Sequence, residues 1–520
     1  MFACRIVAGL VVLLLSFACR AATAPEESGP VWLPALAAGD EPIVVTTHEI
    51  QTADGPLKYE VRTGRLPIRV EETGEVRARI FFVAYVVKSG GSQRPVTFAW
   101  NGGPTVPSIY LHTELLGPRR ITRGGFVDNP QTLLSRTDLV FYDAVETGFS
   151  RPERPEFAGE FLNMRGDVAA TGEFIRAYRT RFGAEAQPLF LCGESYGVWR
   201  AAAVSGLLAE RGVAIAGVIL ISGGFPGVPM PFVFDDAMHV PARTATAFFY
   251  KRLPPELMRD RNETLQAANA WALSTYLPAL TRRDQLSEGE RESIAQSLAR
   301  FTGLRAELVD RQRLVVNTSD YLNGFFCCSK KRVLSDTDAR LSEPQPEDPL
   351  RAFYVSRYLR GELGYATDLS YSGDPGYSTD AGYRALEVGY MPTPGPPRRS
   401  TGAQWSYNQS DHAAQGFAQA RATGDVQYLS AENAPWLENA MLAERGLRVF
   451  VATGRFDPLN MCEGQVLLTA KLEADLSWRV VNKCYEGGHM MYRDESARTQ
   501  LSADLAEFVS GTTKRGLEPR

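Results

Sequence analysis

Pro188-Leu-Phe-Leu-Cys192-Gly193-Glu194-Ser195-Tyr196-Gly197-Val198-Trp199-Arg200 runs from an uncharged apolar segment through a Gly-x-Ser-x-Gly turn into an alanine-rich stretch that continues to Glu210. The apolar run has the length of a buried strand, and the segment after the turn has the composition of a helix. Glycine at both ends of the turn removes the Cβ clash that would oppose so sharp a reversal, and the serine hydroxyl is lifted out at its apex. The five-residue pattern is short enough to arise by chance in a long chain. A strand before it and a helix after it are what give it chemical meaning.

Further strands are expected on the N-terminal side at residues 79–87 and 95–100, the latter ending in Asn101-Gly102-Gly103-Pro104. Downstream, residues 138–143 and 217–222 are apolar enough for buried strands, with a helical pattern over 166–182 between them. Strands alternating with helices predict an α/β architecture, a mostly parallel sheet covered on both faces. Ligands in such sheets bind beyond the carboxyl ends of the strands, where Trp100, Asn101 and Ser195 fall. The pattern then changes. Residues 242–250, 263–277 and 288–309 are helix candidates without core strands, and 342–400 is a loop rich in Pro, Gly and Tyr. Sheet character returns at 447–453 and 478–484, with a helix expected over 463–472 and another over 494–509. The expected organisation is a core at 41–223, a helical and loop insertion or cap at 224–400, a second core part at 401–512 and a polar tail at 513–520. The tyrosines of the loop (Tyr354, Tyr358, Tyr365, Tyr371, Tyr377, Tyr383 and Tyr390) are read as packing and loop anchors rather than a substrate entrance.

Composition narrows the function classes. A hydrophobic content of 44% supports a large core, and a formal charge of −4 over 520 residues implies no polyanionic partner. No basic run, zinc-finger spacing or RNA-binding aromatic pattern points to nucleic acid. Arg outnumbers Lys and Ala is abundant, a bias associated with GC-rich bacterial genomes. Arg5, the apolar run at 6–15 and Ala22-Thr-Ala24 read as a secretory signal peptide over residues 1–24, with export to the periplasm or outside the cell. Lipoprotein processing at Cys19 is the lesser alternative, because Ser16-Phe17-Ala18 approaches it poorly. No later segment reads as membrane-spanning. Five cysteines remain after such cleavage: Cys192, Cys327, Cys328, Cys462 and Cys484. Cys192 lies in a strand, Cys462 and Cys484 can pair, and the vicinal Cys327-Cys328 has no assigned role. No metal-ligand pattern or cofactor motif is present.

A serine nucleophile needs a base for its proton and a carboxylate to hold the base in one tautomer. Asp457, in Gly454-Arg-Phe-Asp457, and His489, in Gly487-Gly488-His489, each follow a predicted strand, in the chain order Ser, Asp, His. Of the other four histidines, His48, His112 and His239 lie away from such positions, and His412 in Ser410-Asp-His412 is the rival base.

Trp100-Asn101-Gly102-Gly103-Pro104, Gly193-Glu194-Ser195-Tyr196-Gly197, Gly454-Arg-Phe-Asp457 and Gly488-His489-Met490 together resemble the serine carboxypeptidase family (peptidase family S10), as do Glu114-Leu-Leu-Gly117-Pro118 and Asp143-Ala-Val-Glu-Thr-Gly-Phe-Ser150. The resemblance spans roughly residues 79–492 and is weakest across the insertion. It implies an α/β-hydrolase fold with a cap, and release of C-terminal residues from peptides at acidic to mildly acidic pH. By the same resemblance Ser195, His489 and Asp457 form the triad, and the backbone N–H groups of Gly103 and Tyr196 form the oxyanion hole. Asn101 and Glu194, supported by Trp100, bind the substrate's terminal carboxylate. Glu114 matches the acidic partner of Glu194, and two carboxyls sharing a proton keep one neutral as a donor. The chain departs from the family at Thr105-Val106-Pro107-Ser108, where Gly-Cys-Ser-Ser is usual, and at Arg455, Asn460 and Met461. These departures suit a divergent bacterial member. A same-fold esterase or acyltransferase and a catalytically silent secreted binding protein are the other readings.

Overall fold

The computed structural model describes residues 29–35, 37, 39–88, 94–228, 232–326, 332–342, 350–372, 405 and 435–516. The expected leader at 1–24, Cys4, Cys19, Cys327, Cys328, His412, Tyr377, Tyr383 and Tyr390 lie outside these residues.

An 11-stranded sheet forms the centre. Its first part is antiparallel: β1 (Val31–Leu33), β2 (Ile43–Thr52), β3 (Gly55–Arg69) and β4 (Val76–Val86) follow one another in space as in sequence. β5 is Val96–Trp100, and β6 (Arg119–Thr122) with β7 (Gly125–Asp128) makes a separate hairpin. β8 (Asp138–Tyr142) joins β4 antiparallel, and β9 (Arg151–Pro152) pairs with the other end of β4. β10 (Leu189–Glu194), β11 (Gly217–Ile221), β12 (Arg448–Gly454) and β13 (Val480–Tyr485) complete the set. The order β8-β5-β10-β11-β12-β13 is parallel throughout.

The parallel strands are buried because helices cover both faces. Every residue of β5, β8, β10 and β11 is buried, and alternate side chains feed two cores. Leu189, Leu191, Val218 and Leu220 point to the face packed by the helices Met164–Phe182 and Tyr196–Glu210. Phe190, Cys192, Ile219 and Ile221 point to the other, which includes Leu501, Leu505 and Phe508 of the Glu495–Gly516 helix. Cys192 is a free, buried thiol within that second core. Burial explains why these strands read as continuous apolar runs rather than alternating ones. Together these features make an α/β-hydrolase fold, a mostly parallel sheet between helical layers with helical insertions.

Between β11 and β12 the described chain is helical, as the sequence predicts, but two extents differ. The helix expected over 242–250 begins ten residues earlier and spans Phe232–Phe249, with Pro241 in its interior. An interior proline costs a helix about 3 kcal/mol. Here Ala237, Met238, Val240, Ala245 and Ala247 bury one face of the helix, which offsets that loss. The helix expected over 288–309 stops at Thr302, where Gly303 caps it in the left-handed conformation. The sequence reading also lacks the short helix Trp436–Ala443, whose Leu437, Ala440 and Met441 are buried. At the other end, the last helix continues past Ser510 to Gly516. No helix among the described residues is long and apolar enough to cross a membrane.

Candidate active site

Six loops converge at the carboxyl ends of β5, β8, β10, β11, β12 and β13. Ser195 sits in the turn between β10 and the Tyr196–Glu210 helix, partly exposed, at φ 59 and ψ −129. A non-glycine residue at positive φ is strained, and the surroundings must hold it there. Ser195 N–H donates to Ile221 O at the end of the adjacent strand, and Val198 N–H donates back to Ser195 O. The turn requires its first glycine, because a Cβ on Gly193 would lie 2.0 Å from Gly197 O. Beneath it, the buried Trp100 indole donates to Gly197 O at 2.9 Å. Trp100 therefore supports the turn from below.

Asp457 follows β12 and is fully buried; His489 follows β13. Their side chains meet, with His489 Nδ1 2.8 Å from Asp457 Oδ2. A carboxylate only accepts, so Nδ1 carries the proton and Nε2 is the nitrogen open to a proton from elsewhere. Asp457 is fixed by two more donors: Leu459 N–H to Oδ1 at 2.9 Å and Asn460 Nδ2 to Oδ2 at 2.8 Å. Asn460 also donates to Ser222 O. Burial alone would lower the pKa of His489, but the charge and hydrogen bond of Asp457, aided by Glu194 and Asp336, raise it to about 8.

The His489 backbone is clamped from both sides. Its N–H donates to Thr337 O at 2.6 Å, and its carbonyl accepts from Ser222 Oγ. Thr337 belongs to the segment between β11 and β12, and Ala339 N–H of the same segment donates to Phe456 O beside Asp457. This part of the insertion is thus built into the loops that carry the pair. Cys462 and Cys484 form a disulfide with Cα atoms 5.5 Å apart, tying β13 to the helix after Asp457.

The Asn101–Pro104 loop lies against the serine turn. A Cβ on Gly102 would be 2.5 Å from Tyr196 N, so only glycine lets the two backbones approach this closely. Gly103 follows at φ 104, and Tyr196 is the first residue of the helix, at its positive pole. Tyr196 also packs edge-on against Trp405, ring centroids 5.5 Å apart. Asn101 is buried and its Oδ1 accepts from Leu111 N–H.

Arg200 braces this loop. It is buried, pairs with buried Asp167 at 2.7 Å, and donates to Asn101 O and Pro104 O at 2.9 and 3.0 Å. Exchanging Arg200 for methionine leaves Asp167 buried without its partner. The expected loss is about 3–5 kcal/mol of stability, read from urea unfolding. Replacing both members of the pair with apolar residues of similar volume is expected to restore most of it.

Glu194 and Glu114 require a correction. The shared-proton pair expected of them is not formed. Glu194 is buried, and its Oε2 accepts instead from Tyr492 Oη at 2.7 Å. Glu114 ion-pairs with Arg351 at 2.5 Å and with Arg493 at 2.9 Å. Two guanidiniums take the carboxylate that would otherwise face Glu194. Burial alone would raise Glu114, but Arg351 and Arg493 hold it below its ordinary value. Burial pushes Glu194 up to about 7, with His489 and Tyr492 opposing and Glu114 reinforcing.

Sequence reasoning missed Tyr492, Arg493, Arg351, Arg200, Ser222 and Thr337. Tyr492 and Arg493 directly follow the His489 motif and were within reach of it. Asn460 was noted only as a departure, although its amide is what fixes Asp457.

The fold and a family match over its first part support one class: a serine-hydrolase-type enzyme of the α/β-hydrolase superfamily. Within that class, residues 54–207 match the serine carboxypeptidase family, Peptidase_S10. No curated protein sequence matches the chain. Among solved structures, it is similar to KEX1(delta)P, a prohormone-processing carboxypeptidase from Saccharomyces cerevisiae. The identity is 14%, covering 88% of this chain and 92% of that one, with a TM-score of 0.46. Proline iminopeptidase from Mycobacterium smegmatis is 13% identical, covering 91% and 100% of the two chains, with a TM-score of 0.33. A thermostable carboxyl esterase from Bacillus coagulans is 12% identical, covering 86% and 98%, with a TM-score of 0.37.

Proposed function

We propose that the protein is an exported, periplasmic or extracellular, serine-type carboxypeptidase. It releases C-terminal residues from peptides through an acyl-enzyme, at acidic to mildly acidic pH. The observation that carries this reading is the buried 2.8 Å contact between His489 Nδ1 and Asp457 Oδ2, on loops neighbouring the strained Ser195 turn.

In this mechanism Ser195 Oγ attacks the last peptide carbonyl while His489 Nε2 takes the hydroxyl proton. The carbonyl oxygen becomes an oxyanion facing the N–H groups of Gly103 and Tyr196. The C–N bond then breaks, and His489 gives its proton to the departing amine. Water repeats the sequence on the acyl-enzyme and restores Ser195. Asp457 holds the imidazole in the tautomer that keeps Nε2 available. In this reading Asn101 and Glu194 bind the departing residue's carboxylate, and a protonated Glu194 donates to it.

The test is release of the C-terminal residue from N-blocked dipeptides across pH. Serine-dependent release supports the proposal; no release from a varied panel sinks it. The diversion of Glu114 to two arginines favours a second reading, an esterase or acyltransferase. That reading gains if p-nitrophenyl esters turn over and blocked dipeptides do not.

The pH dependence follows from Glu194. Its carboxyl is neutral below about 7, where it donates and no longer adds to the charges that raise His489. The imidazole is then freed as a base at lower pH than the about 8 it reaches beside an ionised Glu194. Ionisation of Glu194 removes the donor and holds the imidazole's proton. In Glu194→Gln, the falling alkaline limb of dipeptide kcat/KM disappears. The acid limb of ester hydrolysis moves to lower pH, because His489 loses one of the charges that raise it. Unchanged pH–rate profiles in both assays would overturn this assignment.

A further inference from the structure

The chain has one carboxylate between two guanidiniums at the edge of the site. Glu114 is buried, Arg351 nearly so, and Arg493 has 51% of its side chain exposed. Among the described residues the cluster sets one carboxylate, Glu114, against two guanidiniums. Arg493 spends Nε and Nη2 on Glu114, two of the five donors of a guanidinium. The Tyr110 ring lies 5.0 Å from the Arg351 guanidinium carbon and 5.4 Å from that of Arg493, within cation–π range of both.

This cluster is wired to the site at two points. Arg493 follows Tyr492, whose hydroxyl donates to Glu194, the residue before Ser195. Glu114 lies on the Leu111–Leu116 turn, and Leu111 N–H donates to Asn101 Oδ1. The nearest acidic group in sequence, Asp494, accepts from Ala497 N–H and faces Arg340. Arg498, which donates to Tyr492 O, adds positive charge on the same side.

We propose that Arg493, held by Glu114 and Tyr110, supplies a permanent positive charge that binds the terminal α-carboxylate of a peptide substrate beside the neutral Glu194 donor, in place of the second carboxyl of a shared-proton pair. This inference rests on the carboxypeptidase reading for its substrate class. A guanidinium matches a carboxylate in geometry and charge, and it keeps its charge at every working pH.

The test compares wild type, Arg493→Gln and Arg493→Lys on an N-blocked dipeptide acid and on a p-nitrophenyl ester lacking a carboxylate. In Arg493→Gln the ratio of kcat/KM for the acid to that for the ester falls about 10- to 100-fold, the loss of one charged hydrogen bond, and lysine recovers part of it. A ratio within twofold of wild type overturns the proposal. Titration calorimetry with N-acetylphenylalanine and with its amide gives a readout independent of turnover. Preference for the acid in wild type, lost in Arg493→Gln, supports the site; preference retained or absent in wild type overturns it. If wild type releases no residue from dipeptides yet shows the Arg493-dependent preference, the peptidase reading falls and the carboxylate site stands. Should Arg493→Gln fail to fold, Glu114→Gln with Arg493→Gln removes the buried charge and the cation together, and the same ratios apply.

Discussion

Replacing Ser195 with alanine lowers acyl turnover by about 10⁴- to 10⁶-fold, for esters and for blocked peptides alike. The substitution removes the atom that would bond to the substrate carbonyl, so no acyl-enzyme forms. What is left is water attack assisted by the oxyanion donors and by binding, which sets the floor of the range. The fold is expected to tolerate the change. The strained backbone at φ 59 is held by Ser195 N–H and O, through Ile221 and Val198, and alanine keeps both groups. Thermal unfolding should therefore shift by only a few degrees while activity disappears. A serine-reactive fluorophosphonate labels the wild type and not the variant. Activity in Ser195→Ala above about 1% of wild type would move the nucleophile elsewhere. Wild-type protein that is folded yet neither labelled nor active would favour a binding protein that keeps the scaffold.

The serine turn was legible because its signals are local. Five uncharged residues, two glycines and an alanine-rich segment occupy consecutive positions, and the strand, turn and helix form where they stand. The parallel core could be read for the same reason, since strands buried on both faces are apolar without alternation. Asp457 and His489 were singled out by following strands, although only the assembled sheet brings their loops to 2.8 Å. The charge pairs were beyond reach. Glu114 and Arg493 are 379 residues apart, and nothing near either one distinguishes this partner from any other. The same holds for Thr337, which reaches His489 through a backbone carbonyl that every residue possesses. The early start of the Phe232–Phe249 helix was hidden for a different reason, since Pro241 lies in its interior. Local propensity argues against it inside a helix, and burial of the helix face overrides propensity.

Exchanging Asp457 for asparagine should lower kcat by about 10³- to 10⁴-fold while leaving the side-chain volume unchanged. The argument is one of donors and acceptors. Asp457 presents two accepting oxygens to three donors: Leu459 N–H on one side, Asn460 Nδ2 and His489 Nδ1 on the other. An asparagine has only one oxygen. If that oxygen faces Leu459, the new amide points at Asn460 Nδ2, donor against donor, and donates to His489 Nδ1. The imidazole then carries its proton on Nε2 and cannot accept one from Ser195. If the oxygen faces His489, the tautomer survives but the amide opposes Leu459 N–H in a fully buried site, at a cost of about 1–3 kcal/mol. Both arrangements also remove the charge that raises His489 to about 8. The residual activity of Asp457→Asn should therefore show its acid limb at lower pH than wild type, since a neutral neighbour no longer favours the imidazolium. A pH–rate profile on an ester substrate separates this from simple unfolding. A loss of kcat with an unshifted acid limb would mean that Asp457 does not set the protonation of His489, and the orienting role would have to be withdrawn.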